Sequence, residues 1–157
     1  MISLWRGSRG EQWVLVQFLL VGGYFFLPAR ELPVVTAAGS LRIDLAAAFG
    51  LGGLAFLLLG FKALGRSLTL LPRPKESGTL VRSSVYRVVR HPIYLGVILL
   101  ALAWALFRWS GPHLAATLLL FFFFDAKSRR EEAWLSAKYP EYAAYANRVK
   151  KLIPFVY

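Results

Sequence analysis

Residues 43–64 read IDLAAAFGLGGLAFLLLGFKAL, an apolar run interrupted by charge only at Asp44 and Lys62, near its ends. A helix needs about 20 mostly apolar residues to cross the hydrocarbon core of a bilayer, and this run supplies them. Gly50-Leu51-Gly52-Gly53-Leu54-Ala55 within it formally fits the dinucleotide-binding pattern G-x-G-x-x-A. That pattern works only where a strand feeds a helix, and no strand-like stretch precedes it. Small residues four apart, Ala46 with Gly50 and Ala48 with Gly52, instead predict that one helix backbone approaches another closely.

Outward from this run lie three shorter ones, Trp13–Leu27, Ile93–Phe107 and Leu114–Phe124. Each needs flanking Trp, Tyr, Pro or snorkelling residues to complete a span. The last follows Ser110-Gly111-Pro112, a turn and helix-start signal. The whole chain has 157 residues, 57% of them hydrophobic and only 17% charged, with a mean hydropathy of +0.53. That is too apolar for an ordinary soluble domain and too short for several domains. The expected fold is an all-α integral membrane protein with about four transmembrane helices and a C-terminal amphipathic helical segment. It forms a single membrane domain over 1–157, with two helices and the start of a loop in 1–77 and a second half in 78–157. Cysteine is absent, which excludes disulfides, thiolate nucleophiles and Cys-ligated zinc.

Charge placement predicts the orientation. Sixteen of the 19 Lys and Arg, namely Arg6, Arg9, those of Lys62–Arg90 and those of Lys127–Lys151, fall on one side of a four-span arrangement, leaving Arg30, Arg42 and Arg108 on the other. The positive-inside rule then makes the protein multi-pass with both termini cytoplasmic. The net charge of +11 is accounted for by this topology and by anionic membrane lipids, so a nucleic-acid partner is not expected. Arg6 and Arg9 ahead of an apolar run also fit a signal peptide, but Glu11 and the lack of an A-x-A site after Leu27 predict a retained helix.

Two polar segments carry the chemistry. The loop from Gly65 to Arg90 contains Pro72, Pro74 and the Ser77-Gly78 turn signal and is too long for a minimal connection. Beyond Asp125, Trp134, Leu135, Tyr139, Tyr142 and Tyr145 alternate with Arg129, Arg130, Lys138 and Arg148. This pattern predicts an amphipathic helix at headgroup level, broken at Pro140. Arg90-His91-Pro92-Ile93-Tyr94-Leu95-Gly96 stands where the loop enters the third run, and Glu131-Glu132 follows the fourth. Read singly, Arg90 is a membrane-interface anchor, Tyr94 an aromatic-belt residue and the glutamates a solvated face. Only one of two successive glutamates on a helix can face a given pocket. His113 has no predicted partner and receives no role.

The combination is more specific than its parts. GTLV (78–81), VYRVVRHPIYLG (85–96), an apolar hairpin and REEAWLSAKYPEYAAYANRVKKLIP (130–154) together resemble the isoprenylcysteine carboxyl methyltransferase family and its relatives among phospholipid methyltransferases. Residues 1–77 match only in being hydrophobic. The resemblance implies S-adenosyl-L-methionine as cofactor, in a cytoplasm-facing pocket closed by the C-terminal segment. Its cofactor-binding residues are then Gly78, Thr79, Leu80, Val81, Tyr86, His91, Pro92, Ile93, Tyr94 and Glu131, with Lys127, Glu131 and Arg90 as candidate catalytic residues. The implied substrate is a lipophilic small molecule or lipid with a carboxylate, amine or thiol head. No metal is implied. Such a cofactor needs an acid for its ammonium, donors for its carboxylate and aromatic walls, which these residue types supply. Two positions depart from the family pattern. Ser84 replaces a glycine two residues before the tyrosine, and Lys127 replaces an arginine associated with substrate, keeping the charge but losing the bidentate fork. An NADPH-dependent membrane sterol or enone reductase and a non-catalytic membrane scaffold are the competing readings.

Overall fold

The computed structural model describes residues 10–30, 32, 39–69 and 71–157, so Arg6 and Arg9 of the charge count lie outside the described residues. The described chain is helical: α1 Glu11–Tyr24, α2 Gly39–Leu64, α3 Pro92–Arg108, α4 Gly111–Lys138 and α5 Tyr142–Arg148, with short 3-10 turns at Gly65–Ser67 and Ser84–Arg87. Helix starts and stops follow local chemistry. Pro92 opens α3, where its missing N–H has no partner to lose. Trp109 closes that helix in a left-handed conformation (φ 47°), Ser110 turns extended, and Pro112 sits in the first turn of α4. Pro140 then prevents α4 from continuing past Tyr139.

The separate in-plane amphipathic helix expected after Asp125 is not what forms. Residues 125–138 continue α4 as one 28-residue helix, and only the short α5 lies beyond Pro140. Nothing between Phe124 and Lys138 breaks a helix, and the Asp125–Arg129 ion pair (2.7 Å) ties the apolar and polar halves across one turn. Among the described residues, one helix, Leu41–Ser67 with its 3-10 end, is long and apolar enough to cross a membrane. Its outer face leaves Leu51, Leu54 and Leu58 exposed.

Glycines set the α2–α3 contact. A Cβ on Gly53 would stand 2.9 Å from the Gly96 carbonyl oxygen, and one on Gly96 would stand 2.8 Å from that of Gly53. Gly60 meets Ile93 in the same way, and Gly50 faces Ala103. The contact stripe is therefore Ala46, Gly50, Gly53, Leu57 and Gly60, an alternating four-three spacing that keeps one face toward a slightly inclined neighbour. Of the two small-residue pairs read from the sequence, Ala46/Gly50 lies on this face. Ala48 is exposed and Gly52 has no neighbour within 4 Å, so the second pair points away.

Tyr24, Ile98, Leu120, Phe124 and Leu152 form the core that joins α1, α3, α4 and the C-terminal segment. The Tyr24 hydroxyl donates to the Ala101 carbonyl (2.6 Å). His113, for which the sequence predicts no partner, is buried beside it, hydrogen-bonded to Ser110 (2.8 Å) and edge-on to the Tyr24 ring. After α5 the chain returns as a strap. Val89 pairs with Lys150 in parallel, and the Arg90 and His91 N–H groups donate to the Lys150 and Lys151 carbonyls at 2.8 and 3.1 Å. Lys151 and Tyr157 reach Asp125 of α4, each at 2.8 Å, which pins the strap to the helix that carries the glutamates.

Candidate active site

Four parts of the chain meet at the start of α3: the Gly65–Arg90 loop, α3 itself, the polar half of α4 and the α5 strap. Arg90 is the hub. Its Nε donates to Glu132 Oε1 (2.8 Å), and its Nη1 to the Ala146 and Val149 carbonyls (2.9 and 2.5 Å). The same Glu132 oxygen lies 3.0 Å from His91 Nε2. A carboxylate only accepts, so the His91 ring proton sits on Nε2 and donates. Burial pushes the Glu132 carboxyl up, but the bonds from His91 and Arg90 outweigh it and hold it down at about 2. Arg90 and Glu132 are thus spent on holding the parts together.

Glu131, one residue away, points elsewhere. It takes the Tyr94 hydroxyl at 2.6 Å and borders a cavity of about 190 Å³ that opens to solvent. Tyr94 stacks between His91 (5.3 Å, 2° between planes) and Phe124 (4.8 Å), so the ring is fixed from both faces. Across the cavity, Tyr145 donates to the Tyr86 carbonyl and Tyr139 to the Gly78 carbonyl, both at 2.6 Å, fastening the loop to α5 and to the end of α4. Burial keeps the hydroxyls protonated. It pushes Tyr145 up to about 12 and Tyr86 and Tyr142 higher, Tyr86 aided by Glu131 and Tyr142 by Glu132. The buried Tyr142 hydroxyl, in the cavity wall beside Glu132 and Arg90, completes no hydrogen bond of normal geometry.

Lys127 is 1% exposed. Its ammonium donates to Gln17 Oε1 of α1 and lies 5.2 Å from the centre of the Tyr94 ring. Burial pushes the amine down to about 8, against the pull of Glu131 one turn along α4.

Of the residues predicted from sequence, Gly78, Thr79, Leu80, Val81, Tyr86, Arg90, His91, Ile93, Tyr94, Lys127 and Glu131 line this one cavity. Pro92 does not. It is buried at the start of α3, where it packs toward α2 and Gly60, and its part is to begin the helix. Unforeseen in the wall are Leu57, Phe61 and Leu64 of α2, Tyr142 and Tyr145, and Gln17 of α1. Gln17 carried a signal: an amide inside an apolar helix needs a partner. The glycine departure at Ser84 also gains a physical reading, because Ser84 holds φ 55°, a left-handed conformation that favours glycine.

The residues fit a cationic, partly aromatic ligand. One carboxylate, Glu131, faces the cavity within walls of tyrosine, and the Tyr142 hydroxyl is left with hydrogen-bonding capacity. No group of metal-ligating side chains occurs among the described residues. A family described as phospholipid methyltransferase matches residues 41–142, a span that takes in α2, the loop, α3, α4 and the first residue of α5. No curated protein and no solved structure matches the chain.

Proposed function

Because the chain belongs to the phospholipid methyltransferase family, and so is a methyltransferase, we propose that its cavity binds S-adenosylmethionine and that an acceptor with an apolar chain reaches it from the bilayer. The carrying observation is the convergence of residues 78–81, of Tyr86, Arg90, His91, Ile93 and Tyr94, and of Lys127 and Glu131 on one opening, although the three groups are distant in sequence. In this reading α1, α2, α3 and the apolar part of α4, residues 111–124, span the membrane. The polar half of α4, the loop and the strap are cytoplasmic, as are both termini, in keeping with the basic residues of Lys62–Arg90 and Lys127–Lys151.

Bound S-adenosylmethionine supplies a methyl group activated on a sulfonium. Glu131 would hold its ammonium, and Tyr86 and Tyr142 would offer the aromatic faces that a cation prefers. Arg90 and Glu132 keep α3, α4 and the strap in register, and Arg90, which also lines the cavity, would act on the ligand chiefly by positioning these parts. The protein's own contribution is alignment: the Tyr139 and Tyr145 bonds fasten the loop of residues 78–86 along one wall of the cavity.

Titration of the purified protein in detergent tests this reading. S-adenosylmethionine should bind and NADPH should not. Glu131→Gln should weaken binding by about 1 to 3 kcal/mol, the range for hydrogen bonds to charged groups, with the fold intact because Glu131 takes one hydrogen bond, from Tyr94. His91→Ala should weaken binding in the same range. Binding of NADPH instead would favour the reductase reading, and unchanged affinity in Glu131→Gln would remove Glu131 from the site.

A further inference from the structure

Residues 152–157 end the strap in a tight loop that lies outside the residues the family match covers, and its two faces differ in kind. Leu152 is fully buried in the core cluster with Tyr24, Ile98, Leu120 and Phe124, all from helices assigned to the membrane. Ile153, Phe155 and Val156 face outward, with Phe155 86% and Val156 71% exposed. Phe155 also holds φ 64°, a left-handed conformation that residues other than glycine rarely adopt. Single exposed apolar side chains are ordinary, but three of them on one strained turn form a patch that calls for a partner.

The level of this loop is set by Asp125, the residue at which α4 passes from its apolar to its polar half. Asp125 takes Lys151 Nζ and the Tyr157 hydroxyl, each at 2.8 Å, and Arg129 at 2.7 Å. The loop is thus fastened at the boundary of the two halves, with Leu152 on the apolar side. Its backbone suits a medium poor in water. The Leu152 and Ile153 N–H groups donate to the main-chain oxygen of Tyr157 (2.8 and 2.7 Å), and those of Val156 and Tyr157 donate to the Ile153 carbonyl (3.1 and 3.0 Å). Pro154 has no N–H, so these bonds leave out only that of Phe155, and unpaired donors are what an apolar medium penalises. Positive charge stands beside the patch: Arg129, its side chain 67% exposed, lies 3.4 Å from the Tyr157 hydroxyl, and Lys150 is exposed at the entry to the loop.

We infer that Ile153, Phe155 and Val156 form an interfacial anchor whose partner is the lipid surface of the bilayer that holds the helices. The three side chains enter the boundary between headgroups and acyl chains, while Arg129 and Lys150 face lipid phosphates. An apolar wedge flanked by cations is the composition of surfaces that lie in this layer. Tyr157 suits the same level, with an apolar ring and a hydroxyl held at Asp125. The strap also supplies the Ala146, Val149, Lys150 and Lys151 carbonyls that hold Arg90 and His91, so the anchor ties the cavity wall to the membrane surface. This rests on the membrane placement proposed above for the helices.

Depth measurement tests it. The chain contains no cysteine, so a single introduced cysteine carries a polarity-sensitive fluorophore without background. Phe155→Cys, Val156→Cys, Glu141→Cys and Leu51→Cys are each labelled in the full chain and placed in nanodiscs of mixed zwitterionic and anionic lipid. Iodide quenches from the water, and nitroxide lipids quench from a position near the headgroup or deep in the acyl chain. Glu141 is exposed between α4 and α5, and Leu51 is 70% exposed halfway along α2. The probes at positions 155 and 156 should emit to the blue, resist iodide and lose their emission to the shallow nitroxide, at a depth of about 5 to 10 Å. At position 141 iodide alone should quench, which shows that the fluorophore does not enter lipid by itself, and at position 51 the deep nitroxide should. Shallow quenching at either loop position sustains the inference. Iodide access at both, or shielding of both from iodide and lipid alike by a second copy or another protein, would overturn it. A probe at position 51 that neither nitroxide reaches would sink the membrane placement and the anchor together, whereas position 51 in lipid with the loop in water would sink the anchor alone.

Discussion

The neighbours of α3 on two sides are held to it by opposite means. Along its length α3 meets α2 through missing side chains, with Gly53 and Gly96 bringing backbone against backbone. At its N-terminal start it meets α4 and the strap through charge, with Arg90 and His91 sharing one carboxylate oxygen of Glu132. Helices in lipid gain nothing from hiding apolar surface from one another, so close van der Waals contact must supply the first kind of joint. The second kind is built from ions and their hydrogen bonds, and it stands beside the cavity. The scaffold therefore depends on the absence of atoms, and the site on their charge.

The strongest way to break the comparison is to add atoms to the scaffold joint. A Cβ on Gly96 would stand 2.8 Å from a carbonyl oxygen and 2.9 Å from the Leu57 nitrogen, both backbone atoms that cannot swing aside. Gly96→Leu should destabilise the protein by more than about 3 kcal/mol, seen as loss of a cooperative thermal transition in detergent. Gly52→Ala, on the open face of the same contact partner, should stabilise by about 0.5 to 1 kcal/mol through helix propensity. Equal behaviour of the two variants would remove the packing argument.

The polar joint should break next most easily, and in a pH-dependent way. Glu132→Gln loses the charge that Arg90 and His91 share, and because these side chains remain 11% and 5% exposed the cost should be about 2 to 3 kcal/mol, below that of a fully buried pair. Glu131→Gln should cost less than about 1 kcal/mol, one neutral-donor hydrogen bond. Glu132 is depressed from 4.5 to about 2, so its contribution is fully present above pH 4.5 and is lost as pH falls toward 2. The stability gap between wild type and Glu132→Gln, read from thermal unfolding, should accordingly narrow between neutral pH and pH 3. A gap that stays constant would show that Glu132 acts through packing.

How legible each joint was in the sequence follows from how local its chemistry is. Arg90 to Tyr94 and Glu131 are contiguous motifs at helix ends, and most of the cavity wall could be named from them. Pro92, named with the motif, does not line the cavity, because a motif does not separate residues that face an opening from one that starts the helix presenting them. The Ala48/Gly52 pair fits the spacing of four as well as Ala46/Gly50, and only burial against α3 tells the two faces apart. The continuation of α4 through Asp125 was hidden by a change from apolar to charged residues, which alters the environment of a helix without ending it. Gln17 pairs with a residue 110 positions away, and no local pattern reports such a distance.

A third test sharpens the comparison by removing charge from the border between the two regimes. Lys127 is lowered from 10.5 to about 8 by burial, so folding disfavours its protonated form. The penalty is full below pH 8 and is relieved as pH rises from about 8 to 10.5. Replacing the pair together, Lys127→Met with Gln17→Leu, leaves no orphaned amide and should stabilise the protein by about 1 to 2 kcal/mol at neutral pH. That gain should shrink as pH is raised toward 10.5, measured by unfolding across the range. A double variant less stable than wild type at pH 7 would mean that the pair holds α1 in place rather than being kept for function at some cost in stability.

The smallest effect tests the loop that feeds the polar joint. Ser84 sits at φ 55°, exposed, at the start of the turn that sets Tyr86 beneath the Tyr145 hydroxyl. An ordinary side chain pays roughly 1 kcal/mol or more in this conformation, while glycine adopts it freely but brings extra freedom to the unfolded chain. Ser84→Gly should therefore stabilise by only about 0.5 kcal/mol, the difference of those two terms. Ser84→Val, branched at Cβ, should destabilise by more than about 1 kcal/mol. Because the turn positions Tyr86 in the cavity wall, Ser84→Val should also weaken S-adenosylmethionine binding, whereas Ser84→Gly should leave it unchanged. If Ser84→Gly lost binding while gaining stability, the serine would be a ligand contact and not a tolerated substitute for glycine. Equal stability of the glycine and valine variants would instead show that the left-handed turn is not what position 84 requires.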